Sequence, residues 1–205
     1  MGRLFGEKSI IERVETLQIH ELMQQRWSPR AFSEKALEPE KLKTLFEAAR
    51  WAASSNNEQP WRFLVAQNGT EAFAKLTAAL VGFNQMWAPK APVMAVSFGK
   101  KTFTGRDMAN PYALHDTGAA LANLALQATA LGLQVHAMGG FDRNAVREAF
   151  AVPDDFEAGA VFVIGYPGDP NTLPDPLKER ELAVRTRKGL DEIVFADTFG
   201  VPAQL

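Results

Sequence analysis

The sequence predicts an α+β fold: one mixed β-sheet with helices on both faces. Three observations carry this prediction. Segments with apolar residues at helical spacing alternate with short, nearly all-apolar runs of strand length. One long helix, over residues 111–131, is apolar on nearly every side, so a second copy of the chain is the economical cover for it. Residues 167–205 carry clustered prolines and charges, with too few apolar groups to fold alone.

The elements follow in order. Met1 to Glu15 is mixed, although Ile10 and Ile11 offer docking groups. Thr16 is a candidate cap for a helix to about Gln25, with Leu17, Leu22 and Met23 as its buried stripe. Ser28-Pro29 ends it, because the residue before proline avoids helical backbone. Pro39 opens a second helix, where its missing N–H costs little. Leu42, Leu45, Phe46 and Ala49 follow at helical spacing, and the helix stops near Ala53.

Trp61 to Ala66 reads as a strand and Asn68-Gly69 as a turn. Thr70 caps a third helix carrying Phe73, Leu76 and Leu80. Gly82 to Pro89 reads as a loop with two large aromatics, Phe83 and Trp87. Pro92 to Phe98 is a buried strand. Gly99 to Asn110 has no period and is expected as a long mobile loop. Pro111 opens the long helix and Gly132 ends it, while Gly118 and the alanines permit close helix approach. Gln134 to Met138 is a short strand, Asp142 caps a helix holding Val146 and Phe150, and Ala160 to Ile164 is the last core strand. The whole chain, 1–205, reads as a single domain with a core over 16–166 and an extension over 167–205.

Composition excludes several functions. Hydrophobic residues make up 46%, enough for a sizeable core. The net charge of -2 gives no general attraction to nucleic acid or an anionic membrane surface. The chain has no cysteine, which removes disulfides, thiolate metal sites and thiol nucleophiles. His20, His115 and His136 show no metal-ligand spacing. His136 reads as a core residue and His115 as an interfacial one. No apolar run reaches membrane-spanning length, and the N-terminus lacks a signal-like segment, so a cytoplasmic protein is the default. Gly-x-Ser-x-Gly, a P-loop and a Rossmann fingerprint are all missing. A chain without strong nucleophiles does redox work when a cofactor supplies the chemistry.

Two polar clusters flank the second helix. Arg26-Trp27-Ser28-Pro29-Arg30 offers two guanidinium groups and a hydroxyl, a set suited to phosphate. Ala53-Ser54-Ser55-Asn56-Asn57-Glu58-Gln59-Pro60-Trp61 offers hydroxyls and amides. Each cluster alone is also what a solvated surface presents.

Together they are more specific. Arg-x-Ser-x-Arg-x-Phe, then Ser-Ser-x-Asn-x-Gln-Pro-Trp-x-Phe, resembles the FMN-dependent nitroreductase family, over about Thr16 to Val194. The resemblance implies an α+β fold with a central sheet, and an intertwined homodimer whose C-terminal extension reaches its partner. It implies FMN, with NAD(P)H as electron donor, and ping-pong hydride transfer to a nitroaromatic, quinone or similar small acceptor. Specialised flavin chemistry (fragmentation, dehalogenation or dehydrogenation) and a non-catalytic FMN-binding dimer are the alternatives. By the same resemblance Arg26 and Ser28 match the ribityl-phosphate end, and Arg30 the cation near N1 and the C2 carbonyl. Ser54 and Ser55 match a segment that packs on the ring from the partner subunit, with Asn57 beside them. Asn84 matches the pyrimidine-edge asparagine, Gly139 and Gly140 the turn that approaches N5, and Arg185-Thr186-Arg187 the closing phosphate motif. Two positions depart from the pattern: Ala53 stands where many members have proline, and Gly139 where many have glutamate.

Overall fold

The computed structural model describes residues 17–205. The expected Thr16 cap and the docking groups Ile10 and Ile11 lie outside the described residues. Among the described residues four strands form one sheet in the order β1-β2-β4-β3: β1 Trp61–Gln67, β2 Val93–Lys100, β3 Gln134–Met138 and β4 Phe156–Gly165. Seven α-helices among the described residues surround it: α1 Glu21–Gln25, α2 Pro39–Arg50, α3 Glu71–Ala79, α4 Asn84–Trp87, α5 Ala113–Ala130, α6 Arg143–Ala149 and α7 Asp175–Leu182. The α+β class and the two helix-covered faces agree with expectation.

The strand pairing is narrower than the mixed sheet expected: all three described pairings are antiparallel. The cause is topological. The α5 crossover makes β2 and β3 run parallel, as a helical connection does. β4 then inserts between them, antiparallel to both. The central strands are buried on both sides, which explains their unbroken apolar runs. Met94, Val96, Val161 and Val163 face a core shared with Leu76, Trp87 and Leu177. Val93, Ala95, Phe162 and Ile164 face the other core, with Leu45, Ala49 and Leu124.

Local signals set most helix ends. The Thr70 hydroxyl accepts from Phe73 N at 3.3 Å, and the Asp142 carboxylate from the N–H groups of Asn144 and Ala145 at 2.8 and 3.0 Å. Four expectations need correction. α1 is barely one turn, capped by His20 rather than by an upstream threonine, and a single turn cannot carry a stripe: Leu17 and Met23 are exposed. The stretch read as an aromatic loop contains α4, which buries Trp87 but leaves Phe83 exposed. Residues 99–110 close as a hairpin rather than an open loop, because Phe103 finds a buried seat and its N–H donates to Met108 O at 3.0 Å. The boundary expected after residue 166 falls too early, because Leu173 and Leu177 pack in this chain's own core.

α5 is buried on one side only by its own chain, through Ala113, Asp116, Ala120, Leu124 and Ala128, while Leu114, Gly118 and Ala122 are exposed. No residue from 182 onward is buried. Residues 194–203 close on themselves, with Ala196 N donating to Val201 O at 2.9 Å and Ala203 N to Val194 O at 3.0 Å. No helix among the described residues is long and apolar enough to cross a membrane.

Candidate functional site

The segment after α1 lies along β3, one of the two edge strands of the described sheet. Two side chains of β3, two residues apart and therefore on one face, hold it there. Gln134 Oε1 accepts from Trp27 N at 3.3 Å, and His136 Nδ1 lies 2.8 Å from Pro29 O. The order of these contacts carries the segment from Arg26 along the strand towards Gly139-Gly140, a rise of roughly 20 Å over six strand positions. His136 also packs on the buried Trp87 ring, with centroids 4.4 Å apart. Burial, and then the nearby Arg30 charge, bring its pKa down to about 4, so the imidazole is neutral at pH 7.

At the Arg26 end, charge of one sign gathers. Arg26 Nη1 donates to Ser28 Oγ at 3.3 Å. Arg185 crosses from the tail and donates to the carbonyls of Arg26 and Gln24, at 2.9 and 2.5 Å. The Arg26 pKa is lowered first by burial and then by the positive charges of Arg185 and Arg187. None of these three guanidinium groups forms an ion pair among the described residues. A cavity of about 230 Å³ opens there, lined by Ile19, Met23, Gln24, Arg185 and Arg187. Unneutralised guanidinium groups beside a cavity are arranged for an anion.

Arg30 is differently placed. Its guanidinium lies 3.8 Å from the carboxylate of Glu181, a residue of α7 that is almost fully buried. That carboxylate also accepts from Arg30 N at 2.8 and 3.0 Å and from Ala31 N at 3.1 Å. Farther along, Asn84 Nδ2 donates to Gly140 O at 3.1 Å. A Cβ on Gly140 would lie 2.8 Å from that amide, so a side chain there would push the Asn84 amide from its place. A Cβ on Gly139 would meet nothing within 4 Å. Neither Gly139 N–H nor Gly140 N–H donates to an acceptor among the described residues.

Ser54, Ser55 and Asn57 form a third group. Ser54 Oγ accepts from Gln59 N at 3.0 Å, and Ser55 N donates to the buried carboxylate of Asp116 at 2.9 Å. Asn56, Asn57 and Gln59 have positive φ of 52°, 54° and 51°, a conformation that asparagine tolerates better than glutamine. The Glu58 carboxylate anchors the segment to Thr104 N at 2.9 Å. This group sits at the first turn of α5, whereas α1 meets α5 near Asn123 and Gln127. The offset along α5 is about 10–20 Å at 1.5 Å per residue.

The nitroreductase family profile matches residues 23–166, more than half of the chain. The chain belongs to the nitroreductase family. A solved structure described as an oxidoreductase containing FMN superimposes with a TM-score of 0.85 at 34% identity, covering 90% of this chain and 94% of that one. A protein of Archaeoglobus fulgidus, provisionally named NADH dehydrogenase/NAD(P)H nitroreductase, is 30% identical across 70% of this chain and 82% of its own length. An uncharacterised Mycolicibacterium smegmatis protein is 38% identical over 91 residues, and the match spans 61% of its length.

Within this family fold, Arg26, Ser28, Arg185 and Arg187 come together at one end of the 26–31 segment. Asn84, Gly139 and Gly140 come together at the other, with Arg30 between. Ser54, Ser55 and Asn57 do not join them within one chain. Sequence reasoning missed Glu181, Asp116 and Gln134. Glu181 lies in a charged run that reads as solvated surface, and Asp116 in a helix that reads as apolar. Only Gln134 carries a local hint, an amide between the apolar Leu133 and Val135.

Proposed function

We propose that the chain is an FMN-dependent oxidoreductase that takes electrons from NAD(P)H and acts as a homodimer in the cytoplasm. The observation that carries this is the cluster of Arg26, Arg185 and Arg187, which has no ion-pair carboxylate among the described residues and of which Arg185 and Arg187 line a cavity. Arg26, Ser28, Arg185 and Arg187 would hold the phosphate. Arg30 is the cation for the N1 and C2 side of the ring. Asn84, which donates one hydrogen bond to Gly140, keeps its Oδ1 for the pyrimidine edge. The N–H groups at Gly139 and Gly140 have no acceptor among the described residues, and the space beside Gly139 where a Cβ would stand is open. FMN, when bound, supplies hydride acceptance from NAD(P)H and delivery to a nitroaromatic, quinone or similar acceptor, in ping-pong order.

Ser54, Ser55 and Asn57 fit this reading as groups presented to a second subunit. They lie at the far end of α5 from Arg26, held from behind by Asp116 and Glu58. The exposed face of α5 and the exposed tail give the two copies surfaces to cover.

The test is to purify the protein, release and identify any flavin, and follow NAD(P)H consumption with an added quinone. Bound FMN with acceptor-dependent oxidation is expected. Protein that takes up no FMN, even in excess, removes the reading. FMN without donor oxidation leaves a flavin-binding dimer instead.

A further inference from the structure

Beside Asn84 the surface is unusual. Val81, Phe83 and Met86 are 48%, 54% and 47% exposed, three large apolar side chains within six residues. Such clusters mark binding surfaces. The Arg180 guanidinium, from α7, lies 5.1 Å from the centroid of the Phe83 ring. Among the described residues Arg180 forms no ion pair, and the adjacent Glu181 is taken up by Arg30 and Ala31. Its place in the last turn of α7 suits a cation but does not explain an aromatic ring held bare beneath it. The shelf adjoins the Asn84–Gly140 contact, next to the N–H groups without acceptors.

We propose that Val81, Phe83, Met86 and Arg180 form the acceptor subsite, and that it favours aromatic acceptors carrying an anionic substituent. This rests on the proposed flavin chemistry for turnover, but not for binding. The ring of the acceptor covers the apolar shelf, and its carboxylate or sulfonate meets the Arg180 guanidinium, which has no ion pair among the described residues. A neutral ring gains the shelf alone. With a nitroaryl acceptor the balance is R–NO2 + NAD(P)H + H⁺ giving R–NO + NAD(P)⁺ + H2O, and the anionic group takes no part in it.

The experiment compares 4-nitrobenzoate with 4-nitrobenzamide, titrated calorimetrically into the oxidised, flavin-loaded protein without donor. The wild type should bind the benzoate more tightly. Arg180→Gln should lose roughly three- to tenfold of the benzoate affinity, as expected for a charge-assisted contact at a partly exposed site, and leave the amide within about twofold. Added salt should weaken only the benzoate. Phe83→Ala should weaken both. Equal affinity of the two ligands for wild type, no binding of either, or an equal loss of both in Arg180→Gln would overturn the proposal. Selective benzoate binding with no turnover of either ligand supports the subsite and defeats the flavin chemistry, so the two failures are distinguishable.

Discussion

The body of the molecule, to Leu182, and the tail, 183–205, solve opposite problems. In the body three hidden polar side chains, Glu181, Asp116 and Gln134, are all buried and all hydrogen-bonded. The tail keeps its shape but hides nothing. Val184, Phe199 and Leu205 are each about nine-tenths exposed, while its own hydrogen bonds close the turn at 194–203. Local order with bare apolar groups is what a docking segment presents. The described side-chain hydrogen bonds between tail and body are those of Arg185, so the join lies at the proposed phosphate site.

Ending the chain after Leu182 tests this contrast most severely. The body should stay folded, because Leu173, Leu177 and Glu181 remain. FMN binding and dimerisation should be lost together. A truncated protein that is monomeric and still loaded with flavin would break the comparison. Within the body, Glu181→Ala strands two N–H groups and one guanidinium. It should destabilise by roughly 3–5 kcal/mol in urea unfolding, the range for removing one partner of a buried ion pair. An exposed tail carboxylate such as Asp191 should tolerate the same change almost without cost.

His136 sharpens the contrast through pH. Its folded pKa of about 4 lies below the unfolded value of 6.5. Between those values the unfolded chain binds more protons, so stability falls as pH drops through that window and is level above it. The loss amounts to at most about 3 kcal/mol at 1.36 kcal/mol per unit. His136→Gln should flatten this slope, equally with or without the tail. A slope that survives the substitution would assign it to other groups.

Arg26 and Arg30 give the smallest effects and the finest distinction. Arg26→Ala should weaken FMN binding about tenfold or more, as for a lost charge-assisted hydrogen bond, and leave the midpoint potential alone. Arg30→Ala should lower the potential by about 30 mV or less. The limit comes from Glu181, which stands 3.8 Å away and already offsets part of the Arg30 charge. Spectroelectrochemical titration at full FMN occupancy reads both. Equal potentials in wild type and Arg30→Ala would leave Arg30 as an anchor.

What was legible in the sequence follows from range. Pro39, Thr70, Asp142 and Gly132 act within one turn of where they stand, so helix ends could be read from them. The insertion of β4 between β2 and β3 depends on pairings across the whole chain and left no local mark. The gathering of Arg26 with Arg185 was legible only through the resemblance, because nothing within either segment names the other. Glu181 was illegible for a related reason: Lys178 to Lys188 reads as solvated charge, and only the turn at Arg30-Ala31 reveals which member turns inward.

That turn has a consequence for synthesis. The Glu181 carboxylate reaches back 151 residues to Arg30 N. At 5–20 residues per second, the two N–H groups wait roughly 8–30 s for their acceptor to be made. The first-made part of the proposed cofactor site is therefore the last to be fixed. A nascent chain stalled before residue 181 should remain open to protease at residues 28–31. One that has passed residue 181 should close there, so the site becomes whole only after Glu181 has been made.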